Sequence, residues 1–335
     1  MRQRGEKVPR ATMRAVRAHS YGGPEVLTHE EVPRPEPEPG EVLIRVHAAG
    51  VNPPDRYARS GFTNLPEAIR PEPPRLPFTP GSDISGVVTA VGPGVTQWRP
   101  GDAVFGLVRF PSLDRGGRGY AEYTTSPAAD LARKPASVDH VTAAAVPMAG
   151  LTAYQFLFDH IRLRPGRTVL VNGAAGGVGH FLAQLAGTRS AHVVAVASGG
   201  HEAFLRSLGV DEFIDYTTGP VEDRVRDIDH LIDTVGGPRG FRFLPTVKQG
   251  GTISPVFFGE YHREEAAERT ITFPSGQVHS DGAQLGELAR LIDDGRVRVG
   301  VDSVFALADA AKAHARAEQG HIQGKIVLRV GSEGR

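Results

Sequence analysis

The stretch Thr168-Val-Leu-Val-Asn-Gly-Ala-Ala-Gly-Gly-Val-Gly179 constrains this chain more than any other. A short apolar β-type run enters a glycine-rich turn. Behind the turn, Val178, Phe181, Leu182 and Leu185 recur at i, i+3, i+4 and i+7, the stripe of a helix packed on a sheet. Strand, glycine turn and helix in that order open a βαβ unit. A pyrophosphate must come close to the backbone N–H groups at the helix N-terminus, so side chains are excluded there. Gly176, Gly177 and Gly179 supply that clearance, and Ala175, Gly176, Gly177 and Val178 are the loop residues expected against a dinucleotide. The spacing departs from a strict G-x-G-x-x-G, because Ala174 and Ala175 separate Gly173 from Gly176.

The rhythm around this motif supports it. Thr168–Asn172, His192–Ala197, Glu212–Tyr216, His230–Val235, Gly251–Val256 and Thr270–Phe273 read as apolar strands spaced by helix-length segments, the alternation of a doubly wound parallel sheet. Upstream, from Met13 to about Tyr123, short β-type runs (Arg14–Ala18, Glu41–Ala48, Ser85–Val91 and Ala103–Val108) lie between clusters of Pro and Gly, which predicts an irregular β-rich domain. Pro33 to Pro39 alternates Pro with charge and reads as a surface connection. The long Pro-rich stretch Asn64 to Pro80 is a candidate lid or rim loop. A last amphipathic helix, Ala283–Asp293, precedes the β-run Lys325–Val330, and the final strands are expected to return to the first domain.

Composition narrows the function. The 335 residues, 40% of them hydrophobic, suffice for two compact domains. Lys+Arg and Asp+Glu both total 38, and no block of one sign offers a footprint for nucleic acid or an anionic membrane. The chain has no cysteine, which excludes disulfides, thiolate catalysis and cysteine-based zinc sites. No apolar stretch approaches the ~20 residues of a membrane span, and the N-terminus lacks the apolar core of a signal peptide, so a cytoplasmic enzyme is expected. Residues 1–12 are basic, polar and aperiodic, and are predicted to be a disordered extension.

The cofactor type follows from the second strand of the nucleotide-binding unit. It ends Ala195-Val-Ala-Ser198, with no Asp or Glu where an NAD enzyme places a carboxylate on the ribose 2′-hydroxyl. A 2′-phosphate would not be repelled there. Ser198 can donate a hydrogen bond, His201 adds charge when protonated, and Tyr216 ends the third strand on the same side, so NADPH is predicted.

Taken together, Ala49-Gly-Val-Asn-Pro-Pro-Asp55, Pro80-Gly-Ser-Asp-Ile-Ser-Gly-Val-Val88, Gly101-Asp-Ala-Val-Phe-Gly106, Pro147-Met-Ala-Gly-Leu-Thr-Ala-Tyr154, Ala174-Ala-Gly-Gly-Val-Gly179, Asp233-Thr-Val-Gly-Gly237 and Gly324-Lys-Ile-Val-Leu328 carry a family resemblance. From Met13 to Val330 the chain resembles the zinc-free quinone oxidoreductase group of the medium-chain dehydrogenase/reductase superfamily. The resemblance implies an α/β fold: a GroES-like β-rich catalytic domain from both chain ends (13–145 and 281–332) and a Rossmann doubly wound domain between them (146–280), with NADPH in the cleft. It places Asn52 and Tyr57 toward nicotinamide and substrate, Thr152 at the nicotinamide end, and Val235, Val256 and Phe257 along the dinucleotide. His201 and Tyr216 fall where relatives hold the 2′-phosphate, and Lys325 of the last matching segment is counted with the cofactor contacts. Zinc-dependent cousins carry His-Glu after the glycine that here is Gly81. This chain has Ser82-Asp83, so no metal is expected.

The implied reaction is hydride transfer from NADPH to a quinone or an α,β-unsaturated carbonyl, with Tyr57 or water supplying the proton and Asn52 orienting nicotinamide or acceptor. Enoyl reduction in a biosynthetic pathway is an alternative, and a non-catalytic NADPH-binding or sensing protein is another of a different class. A homodimer acting on a small molecule, without nucleic acid or membrane, is expected. Asp55 and Asp83 show no partner carboxylate in sequence and read as hydrogen-bond acceptors. His47 and His160, without metal-ligand spacing, read as packing or surface residues.

Overall fold

The structure, a computed structural model, describes residues 11–111 and 118–331. The strands are β1 (Thr12–Ala18), β2 (Leu27–Pro33), β3 (Glu41–Val51), β4 (Asp83–Val91), β5 (Ala103–Leu107), β6 (Tyr123–Pro127), β7 (Leu131–Arg133), β8 (Thr168–Asn172), β9 (His192–Ala197), β10 (Glu212–Asp215), β11 (Ile228–Asp233), β12 (Val247–Pro255), β13 (Val301–Ala306) and β14 (Lys325–Arg329). The helices are α1 (Pro53–Arg59), α2 (His140–Ala144), α3 (Pro147–Gln155), α4 (Gly177–Gly187), α5 (Glu202–Ser207), α6 (Arg263–Glu268), α7 (Gly282–Asp293) and α8 (Ala310–Glu318).

Strands rich in Val, Ile and Leu on both faces must be covered on both faces, and β8 to β12 are. They form a parallel five-stranded sheet in the order β10-β9-β8-β11-β12. Val169, Val171, Val193, Ala195 and Ile232 enter one buried cluster, with Phe181, Leu182 and Leu185 of α4. Leu170, Val194, Val196, Leu231 and Ile253 enter a second, on the opposite face. The order reverses between β8 and β11, which makes their carboxyl ends the switch point where ligands bind in such sheets.

The other unit is a mainly antiparallel seven-stranded sheet ordered β13-β14-β3-β4-β5-β7, with β6 on β3, beside the β1-β2 hairpin. Its core gathers Val42, Ile44, Val88, Val104, Ile326 and Leu328, from distant parts of the chain. The pairing of β14 with β3, Ile326 opposite Val51, returns the C-terminal strand to the first unit as expected.

Several expectations need adjustment. Residues 1–10 of the expected extension lie outside the described residues. Its last two residues are ordered: Ala11 O accepts from Arg34 N at 2.8 Å, and Thr12 pairs with Pro33 in β1. Thr270–Phe273 is not a strand. Thr270 has φ +52° and closes α6 through its N–H to Ala267 O, Pro274 follows Phe273, and only Thr272 bridges Thr252. The stretch 64–80 is tied down at its far end, where Tyr21 Oη donates to Pro74 O at 2.6 Å and Ala18 bridges Phe78. Among the described residues, no helix is long and apolar enough to cross a membrane.

Candidate active site

The carboxyl ends of the parallel strands bring the glycine loop, Ser198, Val235, Val256 and Phe257 to one edge of the sheet. After β8 the chain turns through Gly173 (φ +77°), where a Cβ would fall 2.4 Å from Thr234 Oγ1. Gly176 then caps α4 without any side-chain hydrogen bond, and a Cβ built on it would meet nothing closer than 3.4 Å. An uncapped helix N-terminus with open space in front of it is the arrangement a pyrophosphate needs. The loop therefore fits a dinucleotide. Ala175 is buried and its carbonyl accepts from Gly324 N at 2.8 Å, while Val178 is half-buried on the core side.

Opposite this loop, β3 ends at Val51 and Asn52 starts α1. Two prolines follow at positions whose N–H groups a helix does not use. Asp55 fixes the entry: its carboxylate accepts from Asn52 N at 2.9 Å and from Gly81 N at 3.0 Å, tying the Asn52 turn to the segment that carries Asp83. Tyr120 Oη donates to Asp55 at 3.3 Å. Behind Tyr120 the chain of bonds continues to His314 Nε2 at 3.2 Å, and from His314 Nδ1 to Arg59 Nη1 at 3.2 Å. Arg59 donates only, so His314 Nδ1 accepts and its proton sits on Nε2, facing Tyr120.

Lys325 comes from β14, 273 residues away, into the same pocket. Its stem passes Gly177, where a Cβ would lie 2.9 Å from Lys325 Cδ. Its ammonium donates to Val51 O at 2.8 Å and to Asn52 Oδ1 in a short contact, and lies 3.9 Å from Asp83 Oδ2. Asp83 Oδ1 accepts from Met148 N at 2.8 Å, beside the first turn of α3. Asn52, Asp55, Asp83 and Lys325 are all buried. Asn52 Nδ2 and Asp83 Oδ2 have no hydrogen-bond partner of ordinary geometry. The two belong to one long contact, through which Asn52 holds the Asp83 carboxyl down.

The charges perturb one another. Burial raises the Asp55 carboxyl to about 7, helped by the neighbouring Asp83 and opposed by the Asn52 and Gly81 N–H groups. Burial also raises Asp83, against the pull of Lys325 and Asn52. The Lys325 ammonium is lowered by burial and held up by the two carboxylates. The pair that sequence reading treated as isolated acceptors are thus electrostatic neighbours.

Of the other expected residues, Tyr57 is half-buried on α1, and its ring faces that of Phe257 across the cleft with centroids 5.9 Å apart. Burial raises its phenol further. Phe257 contacts Phe258 at 5.3 Å, and with Val235 (56% exposed) they form an apolar lip at the ends of β11 and β12. Val256 is half-buried, its N–H bonded to Asp233 O. Thr152 lies buried on α3 with its hydroxyl donating to Met148 O at 2.7 Å. Asp233 organises the end of β11: it accepts from Asn172 Nδ2, Val235 N, Gly236 N and Tyr261 Oη.

At the end of β9, Ser198 is half-buried, and the pairing of Ala197 with Asp215 brings the exposed Tyr216 beside it. His201 Nδ1 meets Gln323 Oε1 at 3.1 Å. Sequence reading missed Asp215, whose Oδ2 would lie 2.5 Å from a Cβ on Gly199. It also missed Tyr120, His314, Arg59 and Gln323. Only the fold brings these together.

No group of three or more His, Cys, Asp or Glu side chains is arranged to hold a metal among the described residues. The fold and the cleft together define a two-domain oxidoreductase with a GroES-like domain beside a Rossmann sheet. Residues 38–136 match the family described as alcohol dehydrogenase GroES-like domain, and residues 208–328 the one described as zinc-binding dehydrogenase. A chloroplastic quinone-oxidoreductase of Triphysaria versicolor is 32% identical, over 94% of this chain and 98% of its own length. A mitochondrial NAD(P)H oxidoreductase of Homo sapiens is 31% identical, over 87% of this chain and 82% of its own. The solved quinone oxidoreductase from Coxiella burnetii superposes with a TM-score of 0.86 at 31% identity, over 96% of this chain and all of that one. The chain belongs to the quinone oxidoreductase group of the medium-chain dehydrogenase/reductase superfamily.

Proposed function

We propose that this protein is a metal-independent, NADPH-dependent reductase of quinones or α,β-unsaturated carbonyls. The observation that carries the reading is the open, uncapped N-terminus of α4 at the glycine loop, beside the buried cluster in which Lys325 packs on Gly177 and holds the Asn52 oxygen. When bound, the nicotinamide supplies a hydride. The protein's part is to position the partners and support the charge that develops. Nδ2 of Asn52 donates to a carbonyl oxygen of nicotinamide or acceptor, and the buried ammonium of Lys325 behind it favours negative charge at that oxygen. Lys325 thus acts through Asn52, two of its N–H groups being bonded to Val51 O and Asn52 Oδ1, and its stem forms one wall of the glycine loop. Thr152 closes the nicotinamide end by packing, and Tyr57, whose ring faces Phe257 at the apolar lip, supplies the proton. Ser198, His201 and Tyr216 receive the 2′-phosphate, while Ala175, Gly176, Gly177 and Val178 border the pyrophosphate and Val256 the nicotinamide ribose. The boundaries 13–145 with 281–332, and 146–280, serve as working domain limits, and a homodimer is the assembly we expect.

An acceptor panel tests the reading. NADPH oxidation should be saturable with simple quinones and conjugated enones and negligible with a saturated ketone of the same size, because conjugation spreads the charge that hydride brings, whereas a saturated ketone needs strong activation at its one carbonyl oxygen. Turnover of the saturated ketone alone, or NADPH binding without turnover of any acceptor, would refute it.

A further inference from the structure

Three consecutive residues before and in β14 touch successive parts of the cleft. Gln323 meets His201 at 3.1 Å, Gly324 N donates to Ala175 O in the glycine loop at 2.8 Å, and Lys325 reaches Asn52. The segment is itself anchored. Gln323 N donates to Asp302 Oδ1 at 3.1 Å, and Arg316 pairs with the same carboxylate at 2.8 Å. Gln323 therefore presents its amide to His201 from a fixed backbone.

That contact decides what the imidazole can do. Gln323 Oε1 only accepts, so Nδ1 of His201 carries the hydrogen and Nε2 is the nitrogen left for a ligand. In the neutral ring Nε2 is an acceptor and cannot bond a phosphate oxygen. In the imidazolium it donates, and the Gln323 carbonyl supports the charge from the other side. The surrounding charges are mostly committed elsewhere: Glu202 to Arg206 at 3.3 Å, and Asp302 to Arg316. Asp215, held by Thr217 N and Oγ1, faces Gly199 two residues before His201 and opposes an incoming anion. Arg224, bonded to Asp215 O at 3.2 Å and Thr218 O at 2.9 Å, offsets that carboxylate in part, and a cation at His201 on the neighbouring loop adds to it.

We infer that Gln323 is a specificity-determining positioning residue: by holding Nδ1–H of His201 it directs Nε2–H to the ribose 2′-phosphate, so that selecting NADPH over NADH takes up a proton. The inference rests on the proposed NADPH preference. Calorimetry with 2′,5′-ADP and 5′-AMP separates the two, since neither carries a nicotinamide. The wild type should bind 2′,5′-ADP at least tenfold more tightly than 5′-AMP, with proton uptake visible as a heat that changes between buffers of different ionisation enthalpy. Gln323→Leu should lose most of that advantage and the proton uptake, with 5′-AMP affinity unchanged, which also shows that the site is folded. Gln323→Glu, which keeps an acceptor on Nδ1–H, should keep the advantage that Gln323→Leu loses. If Gln323→Leu binds 2′,5′-ADP as the wild type does, the inference fails while the NADPH reading stands. If the wild type does not distinguish the two nucleotides, both fail.

Discussion

Among single residues, we propose that Asn52 orients the reacting partners and Tyr57 supplies a proton. Asn52 was placed toward the nicotinamide only by the family resemblance, and its partner Lys325 is 273 residues away, so no spacing rule connects them. Asp55 and Asp83 were read as isolated acceptors for the same reason. The hydrogen bonds of Asp55 to Asn52 and Gly81 show the acceptor role, and their mutual electrostatics appear only once β3 and β4 are paired. For Tyr57 the expectation is kinetic. Tyr57→Phe keeps the ring against Phe257 but removes the hydroxyl, so kcat should fall by roughly a hundredfold, with NADPH affinity changed less than twofold. Unchanged kcat with several quinones would return Tyr57 to packing alone.

At the scale of elements, the parallel strands were readable because burial on both faces writes itself as an unbroken apolar run. β8 and β9 coincide with their expected limits, whereas Thr270–Phe273 fails because its first residue closes a helix and a proline stops it. β13 and α8 were not read. β13 is half-exposed along most of its length and carries no clear period, and α8 is a short helix rich in alanine. Yet α8 supplies His314 to the bonds that end on Asp55, so the support of α1 was invisible from sequence. Its pH behaviour can be worked out. Burial lowers His180 to about 4 and His314 to about 3, so unfolding takes up protons there below about pH 6.5, and stability falls on acidification. Asp55, raised to about 7 from 3.8, acts oppositely: its contribution is full at low pH and lost as pH rises through about 7. Asp83, also raised, works in the same direction as Asp55. Asp55→Asn removes one opposing proton. Between about pH 6.5 and 5 its unfolding free energy should fall more steeply than that of the wild type, by about 1.4 kcal/mol per pH unit. Parallel denaturation curves across that range would show that Asp55 ionises normally.

At the scale of the molecule, the β-rich unit lies beside the switch point of the parallel sheet, and Lys325 of β14 runs past Gly177 of that sheet's first helix to seat its ammonium between Asn52 and Asp83 of its own unit. A buried cation already sits 3.9 Å from the Asp83 carboxylate, and among the described residues no group of three or more His, Cys, Asp or Glu side chains is arranged to hold a metal. We propose that this arrangement reduces electron-poor acceptors without metal. The direct test is kcat/KM for NADPH oxidation by a simple quinone after exhaustive chelation and exchange, with residual metal measured on the same sample. We expect kcat/KM within twofold of the untreated protein at well below one metal per chain. Loss of activity on chelation, restored by zinc at one ion per chain, would contradict the account.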